Sequence, residues 1–283
     1  MPAAAITVGL LHPGSMGAAF GAQLRTKGTT VLWCPAGRSD ATRSRAEAAG
    51  IEPVALPELL DRSDVVLSLC PPAAAEKTAA EVQAYGFADR TYIEANAIAP
   101  ERMRRITELL IGAHVVDAAV IGSPPVGGKK PALYLSGSEA HTQWAARLFD
   151  GTDISARDLE REIGAASALK LAYSSYQKTS RVLAALAYAA ARTHGVGEEL
   201  VSIAAKRAGS YLTETDYIPK TASRAWRWGP ELDDAGDLLS DAGLPDDLMR
   251  AAARTLEHWD AARDSSLNVD EALALLTSDP RQS

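Results

Sequence analysis

The feature that most constrains this chain is a short apolar run, Ile6 to Leu11 (ITVGLL), that opens into His12-Pro13-Gly14-Ser15-Met16-Gly17 and then into a helical stretch reaching about Lys27. A run this short, apolar at nearly every position, reads as a strand covered on both faces. TTVLWC follows and completes a strand-helix-strand opening. The alternation continues through DVVLSLC (Asp64 to Cys70), an Ala-rich helix after Pro72, TYIEAN (Thr91 to Asn96), a helix from Pro100 and HVVDAAV (His114 to Val120). PALYLS (Pro131 to Ser136) and Asp153 to Leu159 then flank a helix around Glu139 to Phe149. Such alternation predicts a doubly wound, mostly parallel sheet over residues 1–162.

From Gly164 onward the pattern is helical without a convincing strand. It is punctuated by His194-Gly195, Tyr217-Ile218-Pro219, Gly229-Pro230 and Gly243-Leu244-Pro245. An all-helical second domain over 163–283 is therefore expected, and two domains suit a chain of 283 residues. Ala165 to Arg192 contains neither Gly nor Pro and predicts one helix of about 40 Å joining the domains. It is apolar around most of its circumference, which calls for cover on several sides. A second copy of the chain would supply it, so a homodimer is expected.

Several classes of function are disfavoured. A net charge of −7 without a Lys/Arg stripe argues against nucleic acid. Cys34 and Cys70 lie far apart, and the five histidines show no ligand spacing, so neither a disulfide nor a metal is expected. No basic leader or membrane-length apolar segment is seen, which predicts a cytoplasmic protein without a membrane partner.

The loop after the first strand carries the first functional signal. Gly14 and Gly17 fit the second and third glycines of a dinucleotide fingerprint, with His12 in the place of the first. The second glycine lets a pyrophosphate approach the backbone, and the third lets helix and strand pack closely. This predicts an α/β Rossmann domain with His12, Pro13, Gly14, Ser15 and Met16 at the coenzyme. About 20 residues on, where an NAD site carries an acid, the sequence reads Cys34-Pro35-Ala36-Gly37-Arg38-Ser39. Arg38 and Ser39 there suit a 2′-phosphate, so NADPH is expected over NADH. The competing reading is a solvated loop and an ordinary helix N-cap.

Four segments in order, HPGSMG at 12–17, EANAIAP at 94–100, DAAVIGSPP at 117–125 and GAASALK at 164–170, resemble the β-hydroxyacid dehydrogenases. That superfamily includes 6-phosphogluconate and 3-hydroxyisobutyrate dehydrogenases, and the likeness is to a bacterial branch with a short helical C-terminal domain. The resemblance implies that Lys170 is the acid-base group and that Asn96, in the place of a family serine, lies beside nicotinamide and substrate. It sets Cys70-Pro71 along the coenzyme ribose. Ile121 replaces the family's substrate-binding serine, leaving Ser123 two positions later to serve, and Ser174 stands where the family has an asparagine.

Reducing a carbonyl leaves an alkoxide that needs a proton donor about 3 Å away, a task for a desolvated lysine such as Lys170. The competing reading makes Ser167, Lys170, Ser174, Lys178 and Arg181 the wet face of an amphipathic helix. Arg224-Ala225-Trp226-Arg227-Trp228 is a second unusual cluster; Trp228 and Arg227 are candidates to close over a polar substrate, against a surface-packed aromatic pair. The expectation is an NADP-dependent oxidoreductase for a small hydroxy acid or related alcohol or ketone. The alternatives are an imine reductase on the same fold and a non-catalytic NADP-binding sensor.

Overall fold

A computed structural model describes residues 6–207, 209, 211, 214–263 and 265–277, the side chains of 178, 181, 182, 184–186, 227, 231, 234, 235 and 238 excepted. Two compact units are present, residues 1–175 and 176–283.

The first unit is an eight-stranded sheet. Its strands are β1 (Thr7–Leu11), β2 (Thr30–Trp33), β3 (Glu52–Pro53), β4 (Val65–Ser68), β5 (Thr91–Glu94), β6 (His114–Ile121), β7 (Ala132–Gly137) and β8 (Ser155–Asp158). They lie in the order β3-β2-β1-β4-β5-β6-β7-β8. Every pairing is parallel except β6 with β7, where a short connection allows an antiparallel return. The helices α1 (Ser15–Thr26), α2 (Asp40–Ala48), α3 (Leu56–Arg62), α4 (Ala75–Ala84), α5 (Pro100–Leu109) and α6 (Glu139–Leu148) connect them. The strand order reverses between β1 and β4, and in doubly wound sheets ligands bind beyond the strand ends at such a point.

Two apolar layers cover the sheet. Val8, Leu10, Val65 and Leu67 join one core with Phe20, Leu24 and Phe149, whereas Leu11, Leu32 and Val66 join the other with Leu59, Met103 and Ile106. Alternate residues of one strand thus serve opposite layers, which is why these strands read as continuous apolar runs.

The long helix α7 (Ala165–Thr193) begins in the first unit. The remaining α-helices among the described residues are α8 (Gly197–Ala205), α9 (Ile218–Ala222), α10 (Ala225–Asp241), α11 (Asp247–Leu256) and α12 (Val269–Leu275). Ala222, Ala225, Trp259, Ala262 and Ala272 form one small core here, and Ala190, Leu239 and Met249 another. The structure corrects one expected break: Gly229-Pro230 lies inside α10. Proline forfeits one backbone bond there, and the packing of α10 on α11 carries the helix through.

Among the described residues no helix is long and apolar enough to cross a membrane, and no cluster of three metal-ligating side chains occurs.

Candidate active site

The turn from β1 into α1 is built for close approach. His12 adopts φ +77°, the left-handed region a first glycine would occupy without strain. Its carbonyl accepts from Gly14 N at 2.8 Å, and a Cβ on Gly17 would sit 2.6 Å from that same oxygen. Gly17 is therefore fixed by the contact between turn and helix. The N-terminus of α1 has no side-chain cap and no acid in its first turn, so its free N–H groups and positive dipole end suit a pyrophosphate. Ser15 is exposed there, Met16 packs on the core and Pro13 is buried.

Arg38 lies across this turn. Its Nη1 donates to His12 Nδ1 at 3.0 Å, and since a guanidinium only donates, His12 carries its proton on Nε2. Burial, and then the charges of Arg38 and Arg45, lower the His12 pKa and keep the ring neutral. Arg38 Nε is buried without a partner, a costly state for a cation unless a ligand completes it. His12 and Arg38 share a cavity of about 410 Å³ with Leu10, Cys34, Ala36 and Leu56. The size suits one end of a nucleotide, and the unpaired guanidinium nitrogen suits its phosphate. Ser39 does what the competing reading proposed: its Oγ accepts from Thr42 N at 3.4 Å and caps α2.

A polar row crosses the sheet near the carboxyl ends of the strands. Ser68 on β4 is in register with Glu94 on β5, Glu94 with Asp117 on β6, and Asp117 with Ser136 on β7. All four are fully buried. At one side of the row, Asn96 donates through Nδ2 to Glu94 Oε1, to Ser68 Oγ at 3.2 Å and to Cys70 Sγ at 3.2 Å, while its backbone N–H reaches Glu94 Oε1 at 3.1 Å. Burial raises the Glu94 carboxyl to about 7, its hydrogen bonds offsetting only part of the cost. Burial, then the Glu94 charge, push the Cys70 thiol up as well. Pro71, after Cys70, is exposed.

At the other side Asp117 fastens the start of α7. Its Oδ2 accepts from Gly164 N at 2.9 Å, Ser167 N at 3.0 Å and Ser136 Oγ at 3.0 Å, and its Oδ1 from Ser167 Oγ at 2.6 Å. A carboxylate at a helix N-terminus meets both the open N–H groups and the dipole. One turn later Lys170 Nζ donates to Val120 O at 2.7 Å, at the end of β6. Two residues beyond the Glu94–Asp117 pair stand Asn96 and Ala119, and Val120 is next. Neighbouring strands are about 4.8 Å apart. The structure thus brings Asn96 and Lys170 to the same strand ends.

The first turns of α7 are not a wet face, because Ser167 and Ser174 are buried and Lys170 is half-buried. Ser123 is exposed in the bend after β6. In the second unit Trp228 is half-buried on α10, and the Arg227 side chain lies outside the described residues. Trp226 packs under the Arg263 guanidinium at 4.0 Å, as a surface aromatic does. Sequence reasoning passed over Glu94 and Asp117. Their signal was present as a lone acid inside each of two apolar strand runs, TYIEAN and HVVDAAV.

With the reversal of strand order, these strand ends have the architecture of a doubly wound, dinucleotide-binding fold. The family model described as NADP oxidoreductase, coenzyme F420-dependent, matches residues 7–98, and that of a domain of unknown function (DUF1932) matches residues 191–259. The 3-hydroxyisobutyrate dehydrogenase of Mycobacterium tuberculosis aligns with a TM-score of 0.62 at 21% identity, over 97% of this chain and 100% of its own. An imine reductase from Bacillus cereus aligns with a TM-score of 0.72 at 14% identity, over 96% and 99%. A reductive aminase from Aspergillus terreus, solved with NADPH and ethyl-5-oxohexanoate, aligns at 0.68 and 19% identity, over 89% and 93%. The resemblance to hydroxyacid dehydrogenases thus extends to the fold of nearly the whole chain, a fold that imine reductases share.

Proposed function

We propose that the protein is an NADP-dependent oxidoreductase acting on a small hydroxy acid or a related alcohol or ketone, with Lys170 carrying the proton. The observation that supports this most directly is the return of α7 onto the sheet. Asp117 fastens its first turn, and Lys170 then reaches the end of β6 level with Asn96. A helix held in this way sets an ammonium at a fixed point beyond the strand ends, which acid-base chemistry requires.

When bound, the coenzyme supplies or accepts the hydride at its nicotinamide. The residues that would hold it are Pro13 to Met16 at the pyrophosphate, Arg38 with His12 and Ser39 at the 2′-phosphate, and Cys70-Pro71 with Asn96 toward the nicotinamide ribose. Lys170 Nζ gives a proton to the substrate oxygen as it becomes an alkoxide and takes it back in oxidation. Asn96 orients the reacting group, and Ser123, Ser174, Trp228 and Arg227 are the candidates for the rest of the substrate. Residues 1–162 serve as the coenzyme domain, and 163–283 as the substrate and dimerisation domain of a cytoplasmic homodimer.

Lys170→Met keeps chain length and helix propensity while removing the proton. Turnover should fall by about 10² to 10⁴, with NADPH affinity unchanged by fluorescence titration. Near-full turnover in the variant, with the chemical step shown to limit the rate, would overturn the assignment. Tight NADPH binding by the wild type without turnover of any ketone or imine in a broad panel would favour a sensor.

A further inference from the structure

The geometry points to Glu94 as a positioning residue: it holds the Asn96 amide with Nδ2 inward, so that Asn96 offers its ligand only an acceptor and receives a hydroxyl or a protonated nitrogen rather than a bare carbonyl. This rests on the oxidoreductase reading for the ligand, though the hold on Asn96 is a property of the chain alone.

Three inward acceptors, Glu94 Oε1, Ser68 Oγ and Cys70 Sγ, surround Asn96 Nδ2. With Glu94 ionised, above about pH 7, turning the amide over would set Oδ1 against its carboxylate, a buried contact between two acceptors. Nothing among the described residues donates to Asn96 Oδ1. Yet Oδ1 is not among the buried orphan atoms, which are Arg38 Nε and Gln83 Oε1, so the 5% of Asn96 that stays exposed includes it. The side chain therefore presents one oxygen beyond the end of β5, at the level Lys170 reaches from α7. An alcohol, or an imine already protonated, can donate to that oxygen. A ketone oxygen is repelled and must turn to Lys170. Glu94 belongs to none of the contacts a ligand would make; it acts through Asn96.

The test uses the full chain and two readouts. In the ligand-free protein, the Asn96 side-chain N–H₂ signals, identified by their loss in Asn96→Ser, should exchange slowly with solvent. They should stay slow in Glu94→Gln, whose amide oxygen still accepts, and exchange fast in Glu94→Leu. They should also shift with pH around 7 in the wild type and not in Glu94→Gln. Of the other groups beside Glu94, Tyr92 and Cys70 are both pushed upward by burial, away from that window; Asp117, its register neighbour on β6, accepts from Ser136, Ser167 and two backbone N–H groups. This titration decides the matter should Glu94→Leu not fold. In the coenzyme-saturated protein, a secondary alcohol should bind about tenfold tighter than its matching ketone, the worth of one hydrogen bond. Glu94→Gln should keep that ratio and Glu94→Leu should lose it. Fast exchange of the wild-type amide overturns the hold, and an alcohol-to-ketone ratio near one in the wild type overturns the acceptor assignment. Failure to bind any coenzyme overturns the oxidoreductase reading, and the donor clause with it, while the exchange data still judge Glu94.

Discussion

The two units of this chain differ in where they place their polar and apolar residues. In the first, polar groups go inside: Ser68, Glu94, Asp117, Ser136 and Ser167 have no exposed surface, and each is hydrogen-bonded near the strand ends. Large apolar side chains are exposed in both units, Tyr85, Ile111 and Val126 among them in the first, but they stand more densely in the second. Val196, Val201, Ile203, Tyr211 and Tyr217 are each between 40% and 66% exposed. Buried polar residues are expensive and are kept where they fix a geometry; exposed apolar residues are kept where something is to cover them. The contrast sets a unit whose buried polar groups fix a geometry beside one with more of its apolar surface uncovered.

The comparison breaks most easily at Asp117. Asp117→Ala removes the acceptor for two backbone N–H groups and two hydroxyls in the interior, and should lower unfolding stability in urea by about 3 to 5 kcal/mol. A loss below about 1 kcal/mol would show that the polar row is not structural. Glu94 gives the next effect, and its sign is opposite to that of an ordinary carboxylate. Its pKa is raised by burial from 4.5 to about 7, so between those values the native state holds a proton that the unfolded chain has released. Its contribution to stability therefore falls as pH rises from about 4.5 to about 7 and is level above. Glu94→Gln removes that dependence, and its stability relative to wild type should rise by about 3 kcal/mol across the window. A flat difference between pH 5 and pH 8 would contradict the assignment.

Arg38 tests the other end of the sheet. Its unpaired Nε and its bond to His12 support the proposed preference for NADPH, under which Arg38→Ala should weaken NADPH binding by about 1.5 to 3 kcal/mol and NADH binding by much less. Equal losses for the two coenzymes would remove the 2′-phosphate from this position.

How much of this was legible depended on whether a signal was local. β1, β2 and β4 to β7 were read because each is an apolar run, and Lys170 and Asn96 were proposed because they stand in motifs of contiguous residues. The stretch from 40 to 62 gave less. Only Thr42 and Ala46 of α2 are buried, and both residues of β3 are exposed, so no apolar period marks either element. Gly229-Pro230 misled for the converse reason, since tertiary packing outweighed a local break. Glu94 and Asp117 were hidden because their meaning lies in register. Ser68 and Ser136, which flank them, come from strands far away in sequence, and nothing local announces that the four share a row.

The smallest expected effect on folding, and the sharpest test of the contrast, lies on α8. Val201 is 54% and Ile203 66% exposed, although α8 is rich in apolar residues. If that surface serves association, Ile203→Asp should leave the single chain nearly as stable as before, within about 0.5 kcal/mol, because an exposed side chain contributes little to its own fold. Light scattering at micromolar concentration should then show a dimer for the wild type and a monomer for the variant. The wild-type melting temperature should rise with protein concentration, as it does when folded chains associate, whereas that of the variant should not. A stable wild-type monomer would overturn the homodimer and remove association as the reason for these exposed side chains. A variant that stays dimeric would move the interface off α8, toward Leu183 and Tyr188 of α7, which are 42% and 44% exposed.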